Sequence, residues 1–209
     1  MRMAWVSFAA LILSGCCGDG QCDGVDGEVC SSSFDCAGSC IDGVCRERCS
    51  EGVACAPGRT CWDDGTTTSA VCLPPPASDE RWVLRADGLG NAAGRAGELT
   101  EPDDFICFGL AGVTLCSQEE TGRDVVFDRE FSTPFTTEQL SDVSVTVFDS
   151  NQVFPFGGCE GNCSTLQNID RQIVYGDAFD LRPTVSRRPM VWDIPTEGGM
   201  NVRFSILPR

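Results

Sequence analysis

Fifteen cysteines and 31 carboxylates carry the chemistry open to this 209-residue chain, which contains no histidine. All 15 of its basic residues are arginines. Without histidine there is no Ser-His-Asp or Cys-His catalysis, no His-ligated zinc or haem iron, and no histidine pH switch. The net charge of −16 argues against nucleic acid, which needs clustered positive charge. The carboxylates leave two chemistries open. Hard oxygen ligands suit calcium, and paired acids hydrolyse glycosides without histidine. Asp19, Asp23, Asp26, Glu28 and Asp35 lie among glycines. There they can gather a calcium ion or set tight turns. No motif places two acids in a cleft, so the expectation is a protein that is not an enzyme. Neither haem, zinc nor a nucleotide is expected as a cofactor.

The cysteines point to an oxidising compartment, since such density is otherwise rare. No C-x-x-C pair occurs, so zinc ribbons and thioredoxin-like redox sites have no support. Residues 1–15 form a targeting segment, with Arg2 at its charged start and a short apolar run from Ala4 to Leu13. That run is too short to span a bilayer. It ends in Leu13-Ser14-Gly15-Cys16, which resembles a bacterial lipobox. The resemblance implies diacylglycerol on Cys16 and an exported lipoprotein at the outer membrane or cell surface. If the lipobox reading fails, the chain is periplasmic or secreted. With Cys16 lipidated, the remaining fourteen cysteines form an even set.

Ten of those fourteen fall between Cys17 and Cys72. The segment 16–73 reads as a disulfide-stapled module, because Val25, Val29, Phe34, Ile41, Val44, Val53, Trp62 and Val71 are nearly all of its apolar residues beyond cysteine. Two sub-units are visible, Cys17 to Cys45 and Cys49 to Cys72, and both resemble Cys-rich units of bacterial surface proteins. Residues 74–80 open with three prolines and read as a stiff linker.

From 81 to 209 the pattern alternates with period two between turn residues. Strands are expected near residues 82–86, 105–108, 113–116, 124–127, 143–148, 173–175, 190–192 and 202–206, with one helical turn at Thr137 to Leu140. The fold class expected is mainly β, an antiparallel eight-stranded sandwich behind a small loop-rich module.

Residues 81–209 resemble a C2 domain, the calcium-dependent phospholipid-binding sandwich, especially as attached to Cys-rich bacterial lipoproteins. Pro102-Asp103-Asp104-Phe105 matches the S-D-P-Y segment of that family, Pro134-Phe135 its P-x-W strand entry, and Val145 to Asn151 its V-x-V-x-D-x-D strand. The resemblance implies calcium ligands at Asp103, Asp149 and Asn151, with Asp104 beside them. The first-loop acid falls on Gly97, leaving Glu98 nearest, and Glu160 or Asp170 stands in for the last. So few secure carboxylates imply weak affinity, about 10⁻⁴–10⁻³ M, or none. Phe154 and Phe156 form an apolar loop tip that enters a lipid interface, anchors a partner or folds back. Cys107 and Cys116 are expected to bridge a hairpin, and Cys159 and Cys163 to staple the loop. Arg182, Arg187 and Arg188 form a basic cluster. The function expected is a non-catalytic, lipid-anchored envelope protein binding calcium and a membrane or acidic partner. The alternative is a calcium-independent structural or interaction module contacting an envelope protein.

Overall fold

In a computed structural model the chain divides into two compact units, Met1–Leu73 and Pro74–Arg209. The structure describes residues 26–50, 54–63, 70–92, 102–150, 159–161 and 171–209. No described helix is long and apolar enough to cross a membrane.

The first unit is held by sulfur. After a 3₁₀ turn at Ser33–Asp35 come β1 (Ser39–Ile41) and β2 (Val44–Arg46), which form a hairpin. Then β3 (Arg48–Cys49), β4 (Thr60–Trp62) and β5 (Ala70–Leu73) form a second antiparallel sheet in the order β3-β5-β4. Among the described residues only Val71 and Leu73 add to the buried cysteines as apolar core. Cys30 bonds Cys40 and Cys36 bonds Cys45; Cys49 bonds Cys61 and Cys55 bonds Cys72. Among the described residues each half therefore interlaces four cysteines, first to third and second to fourth. Cys40 faces Cys45 across the hairpin, yet both bond elsewhere. The sulfurs of Cys30, Cys36 and Cys45 lie within 4.8 Å of one another, as do those of Cys49, Cys55 and Cys61. All six are oxidised, so neither group offers a metal the thiolates it needs. Asp35 accepts hydrogen bonds from the Ser31 and Ser32 amides and the Ser31 hydroxyl, which is turn chemistry.

The second unit is an antiparallel β-sandwich. Its strands are β6 (Arg81–Gly90), β7 (Asp103–Leu110), β8 (Val113–Cys116), β9 (Glu120–Thr121), β10 (Val125–Glu130), β11 (Phe135–Thr136), β12 (Val143–Ser150), β13 (Cys159–Gly161), β14 (Arg171–Phe179), β15 (Met190–Pro195) and β16 (Asn201–Pro208). One sheet runs β10-β6-β16-β15, with β11 also on β6. The other runs β13-β8-β7-β12-β14, with β9 also on β7. Alternation sets the two inner faces. Trp82, Leu84, Val202, Phe204 and Ile206 of one sheet are buried in one core with Ile106, Phe108, Leu110, Val143, Val145 and Val147 of the other. The Trp82 indole donates to the Thr137 hydroxyl at 3.0 Å, satisfying a polar group that the core would otherwise strand. Thr137 opens a 3₁₀ turn through Ser141, capped by Thr136.

Two strand ends differ from the sequence reading. β6 does not stop at Asp87-Gly88 but continues to Gly90. Phe204 pairs with Ala86 and Arg203 with Gly88, so Asp87 is an extra, bulged residue. A Cβ on Gly88 would sit 2.3 Å from the Val125 carbonyl oxygen, so glycine here permits a close strand approach rather than a turn. β14 spans nine residues rather than three, because it pairs along the whole of β12. Residues 74–80 are bonded onto the sandwich. Ser186 donates its amide to the Pro74 carbonyl, and Thr137 donates its hydroxyl to the Ala77 carbonyl.

Candidate functional site

Asp104 and Asp149 face each other across β7 and β12, and both are fully buried. Alternation explains the burial. Asp104 is in phase with Ile106, Phe108 and Leu110, and Asp149 with Val145 and Val147, so both carboxylates continue the inward columns. They do so at the sandwich end where β6 stops, β12 stops and β14 begins. Facing positions on antiparallel strands are about 5 Å apart. At an effective dielectric of 20, two unit charges at that distance repel by about 3 kcal/mol. Such a pair keeps both charges only beside positive charge.

The row is longer than two. Asp104 pairs on its other side with Glu120 of β9, which places three carboxylate residues side by side across β9, β7 and β12. Glu120 is half-buried and accepts a 3.4 Å hydrogen bond from the Gln118 amide. Asp103 alternates to the opposite face. Its carboxylate accepts from the Thr121 hydroxyl at 2.5 Å. The donor set is all oxygen and anionic, which fits a hard divalent cation and no soft metal.

The other residues of the expected site distribute as follows. Glu98, Asn151, Phe154, Phe156, Cys16 and Cys163 lie outside the described residues, as does Asp170. Cys107 and Cys116 face each other on β7 and β8 and form a disulfide, in an outer-face cluster with Phe105 and Phe148, whose rings stack at 5.1 Å. Cys159, next in that row on β13, is also disulfide-bonded. The basic residues do not converge. Arg182 is paired with Asp180, and the Arg187 backbone amide is held by Glu80. Glu120 escaped the sequence reading because its place depends on the pairing of β9, two residues long, with β7. Asp104 carried a local signal, since it is in phase with the apolar positions that follow it.

Glu160 does not join the row. Its carboxylate accepts from the Ser132 amide and hydroxyl and the Thr133 hydroxyl, and it faces Arg129 at 3.5 Å. Burial pushes this carboxyl up, but those hydrogen bonds and the Arg129 charge outweigh it and lower its pKa below the ordinary 4.5. The stability this adds is fully present above pH 4.5 and is lost as the pH falls through the lowered folded value. Glu160→Gln should cost about 1–2 kcal/mol. Hydrogen exchange at residues 159–161 checks it: protection falls in the variant at neutral pH, and in the native chain only on acidification.

No protein-family model and no curated protein matches the sequence. Solved structures with similar backbones include human GIVD cytosolic phospholipase A2, at 13% identity over 63% of this chain and 16% of that one, with a TM-score of 0.46. A single C2 domain of plant Extended Synaptotagmin 1, the one lettered A, aligns at 12% identity over 64% of this chain and 98% of that one, TM-score 0.43. A structure of Extended-Synaptotagmin 2 that comprises its SMP domain and two C2 domains aligns at 11% identity over 71% of this chain and 36% of that one, TM-score 0.38. The chain thus spans about one sixth of the phospholipase it resembles.

Proposed function

We propose that the second unit is a non-catalytic, C2-type binding module that takes calcium at the end of its sandwich and uses it to hold an anionic surface. The observation that carries this reading is the buried Asp104–Asp149 pair, two carboxylates facing each other at the loop end of the core. Glu120 adjoins that pair from β9, whereas Asp103 faces Thr121 on the other side of the sheet. Glu98 and Asn151, the further ligands that the C2 resemblance implies, lie outside the described residues. When bound, calcium supplies positive charge that attracts a phosphate or carboxylate oxygen of the partner. Asp104, Asp149 and Glu120 would hold the ion, and their burial or partial burial would strengthen that hold. Residues 81–209 hold 19 acids against 11 arginines. They are therefore repelled by an anionic bilayer until the ion inverts the local field. The exported chain is anchored through lipid on Cys16, and the disulfide-stapled unit serves as its stalk at the cell surface.

The test is co-sedimentation of a Cys16→Ser chain, which carries no acyl anchor, with phosphatidylserine vesicles. In about 10 mM calcium, above the weak extracellular range, the chain should pellet, and a chelator should release it. Asp149→Asn should stay in the supernatant. Sedimentation that ignores the chelator, or none at all, would overturn the reading.

A further inference from the structure

A cavity of about 380 Å³ opens beside β14, near the turn that joins β15 to β16. β14 and β15 are the last strands of their two sheets, so the cavity lies on the open flank of the sandwich. It is lined by Val174, Tyr175 and Asp177 of β14 and by Thr196, Glu197 and Met200 of the turn. Its position follows from the register. Val147 pairs with Tyr175 and Phe148 with Ile173, so Val174 is an extra residue in β14. Such a bulge bends the strand and re-aims its side chains. Tyr175 consequently packs its ring against the core edge while lining the cavity.

The lining is chemically one-sided. An aromatic ring, a thioether and a valine supply an apolar bed, and two carboxylates supply negative charge; no basic residue lines it among the described residues. An anion is excluded by charge. A bare metal ion wants several converging oxygens, whereas Asp177 and Glu197 are exposed on separate elements. An aromatic face beside carboxylates suits a cation with an apolar body. The volume is at the small end for ligand pockets, which suits a compact group rather than an extended chain. Burial, and then the Asp177 charge, raise the Tyr175 pKa above 10.0, so the phenol stays neutral and keeps its ring electron-rich for a cation.

We propose that this cavity binds an organic ammonium group, against the Tyr175 ring and between Asp177 and Glu197. Its lining shares no residue with the carboxylate row, and the binding needs no calcium. Two sources share the chemistry, a free small amine and the headgroup of a zwitterionic lipid.

Tyr175 is the only tyrosine in the chain, so its ultraviolet difference spectrum reports the site directly. The full chain, disulfides intact and calcium chelated, is titrated with choline chloride against sodium chloride at equal ionic strength. Choline should give a saturable tyrosine difference spectrum that sodium does not. By competition against the native chain, Tyr175→Leu should bind choline about five- to thirty-fold more weakly, the worth of one cation–π contact. Glu197→Gln, at an exposed side chain outside the core cluster, should weaken binding about two- to three-fold with the melting temperature unchanged. Retention of the native chain on phosphatidylcholine vesicles in chelator, lost in Tyr175→Leu, would name the headgroup as the source. No retention beside saturable choline binding would name the free amine. Equal responses to choline and sodium, or Glu197→Gln and a folded Tyr175→Leu binding as well as the native chain, would overturn the proposal.

Discussion

Reducing the disulfides should unfold residues 26–73 and leave the core of the sandwich standing. The first unit has only Val71 and Leu73 as buried apolar residues beyond cysteine among those described. Fully burying each contributes about 1.5–3 kcal/mol. That is far short of the entropy of ordering several dozen residues, about 1–2 kcal/mol each. The missing term is the disulfides, four among the described residues, whose closed loops span sequence separations of 9, 10, 12 and 17. By loop-closure entropy each removes about 3 kcal/mol of freedom from the unfolded chain. The interlaced pairing adds to this, because neither loop of a pair opens while the other holds. The sandwich also carries a bridge, Cys107–Cys116, but its core of aromatic and aliphatic side chains does not depend on it. Hydrogen exchange with and without reductant checks this. Amides of residues 39–49, 60–62 and 70–73 should exchange at unfolded-chain rates on reduction, while those of β6, β7, β12 and β16 stay protected. Loss of protection in both units together would contradict it.

Phe204→Ala should be the most damaging single change in the second unit. Phe204 is fully buried on β16. Its ring meets Phe108 edge-on at 5.5 Å, stacks on Trp192 at 5.5 Å and approaches Phe179 at 6.3 Å. These partners come from both sheets, so removing the ring empties the junction between layers rather than one face. A cavity of that kind costs about 3–5 kcal/mol. For a domain of this size that is a fall of about 10–20 °C in melting temperature. Thermal unfolding followed by near-ultraviolet circular dichroism checks it, since Trp192 stacks on the deleted ring. A fall under about 5 °C would mean that the core closes over the gap.

What was legible in the sequence was what alternation and turn chemistry encode locally. Val143 to Phe148 alternates, and β12 is there; one helical turn is expected at Thr137 to Leu140, and a 3₁₀ turn spans Thr137–Ser141. The two-residue turn Ala111-Gly112, both at positive φ, closes the β7–β8 hairpin where the glycines promised one. Asp87-Gly88 misled because a bulge uses the same residues as a turn, and only the facing Val125 strand tells them apart. The candidate site was half legible. Asp103, Asp104 and Asp149 stood out by motif, but which of them enter the core depends on strand phase. Asp103 turns away to Thr121, whereas Asp104 and Asp149 meet. Glu120 could not be found by any local pattern, because lateral neighbours in a sheet are set by pairing between distant segments. The interlaced disulfides are of the same kind. Cys40 and Cys45 are near in sequence and face each other in space, yet each bonds a third residue.

The central claim is that Asp104 and Asp149 hold a calcium ion. It is tested most directly by isothermal titration of calcium into the full, oxidised chain beside Asp104→Asn and Asp149→Asn. Saturable heat is expected, with a dissociation constant of about 10⁻⁴–10⁻³ M. Either substitution should abolish that heat while leaving the calcium-free melting profile cooperative. At about 10 mM calcium the same affinity stabilises the native chain by about 1.4–2.7 kcal/mol, and neither variant should gain it. Heat that survives both substitutions would place the ion elsewhere. No heat up to about 10 mM would contradict a calcium site in this sandwich altogether.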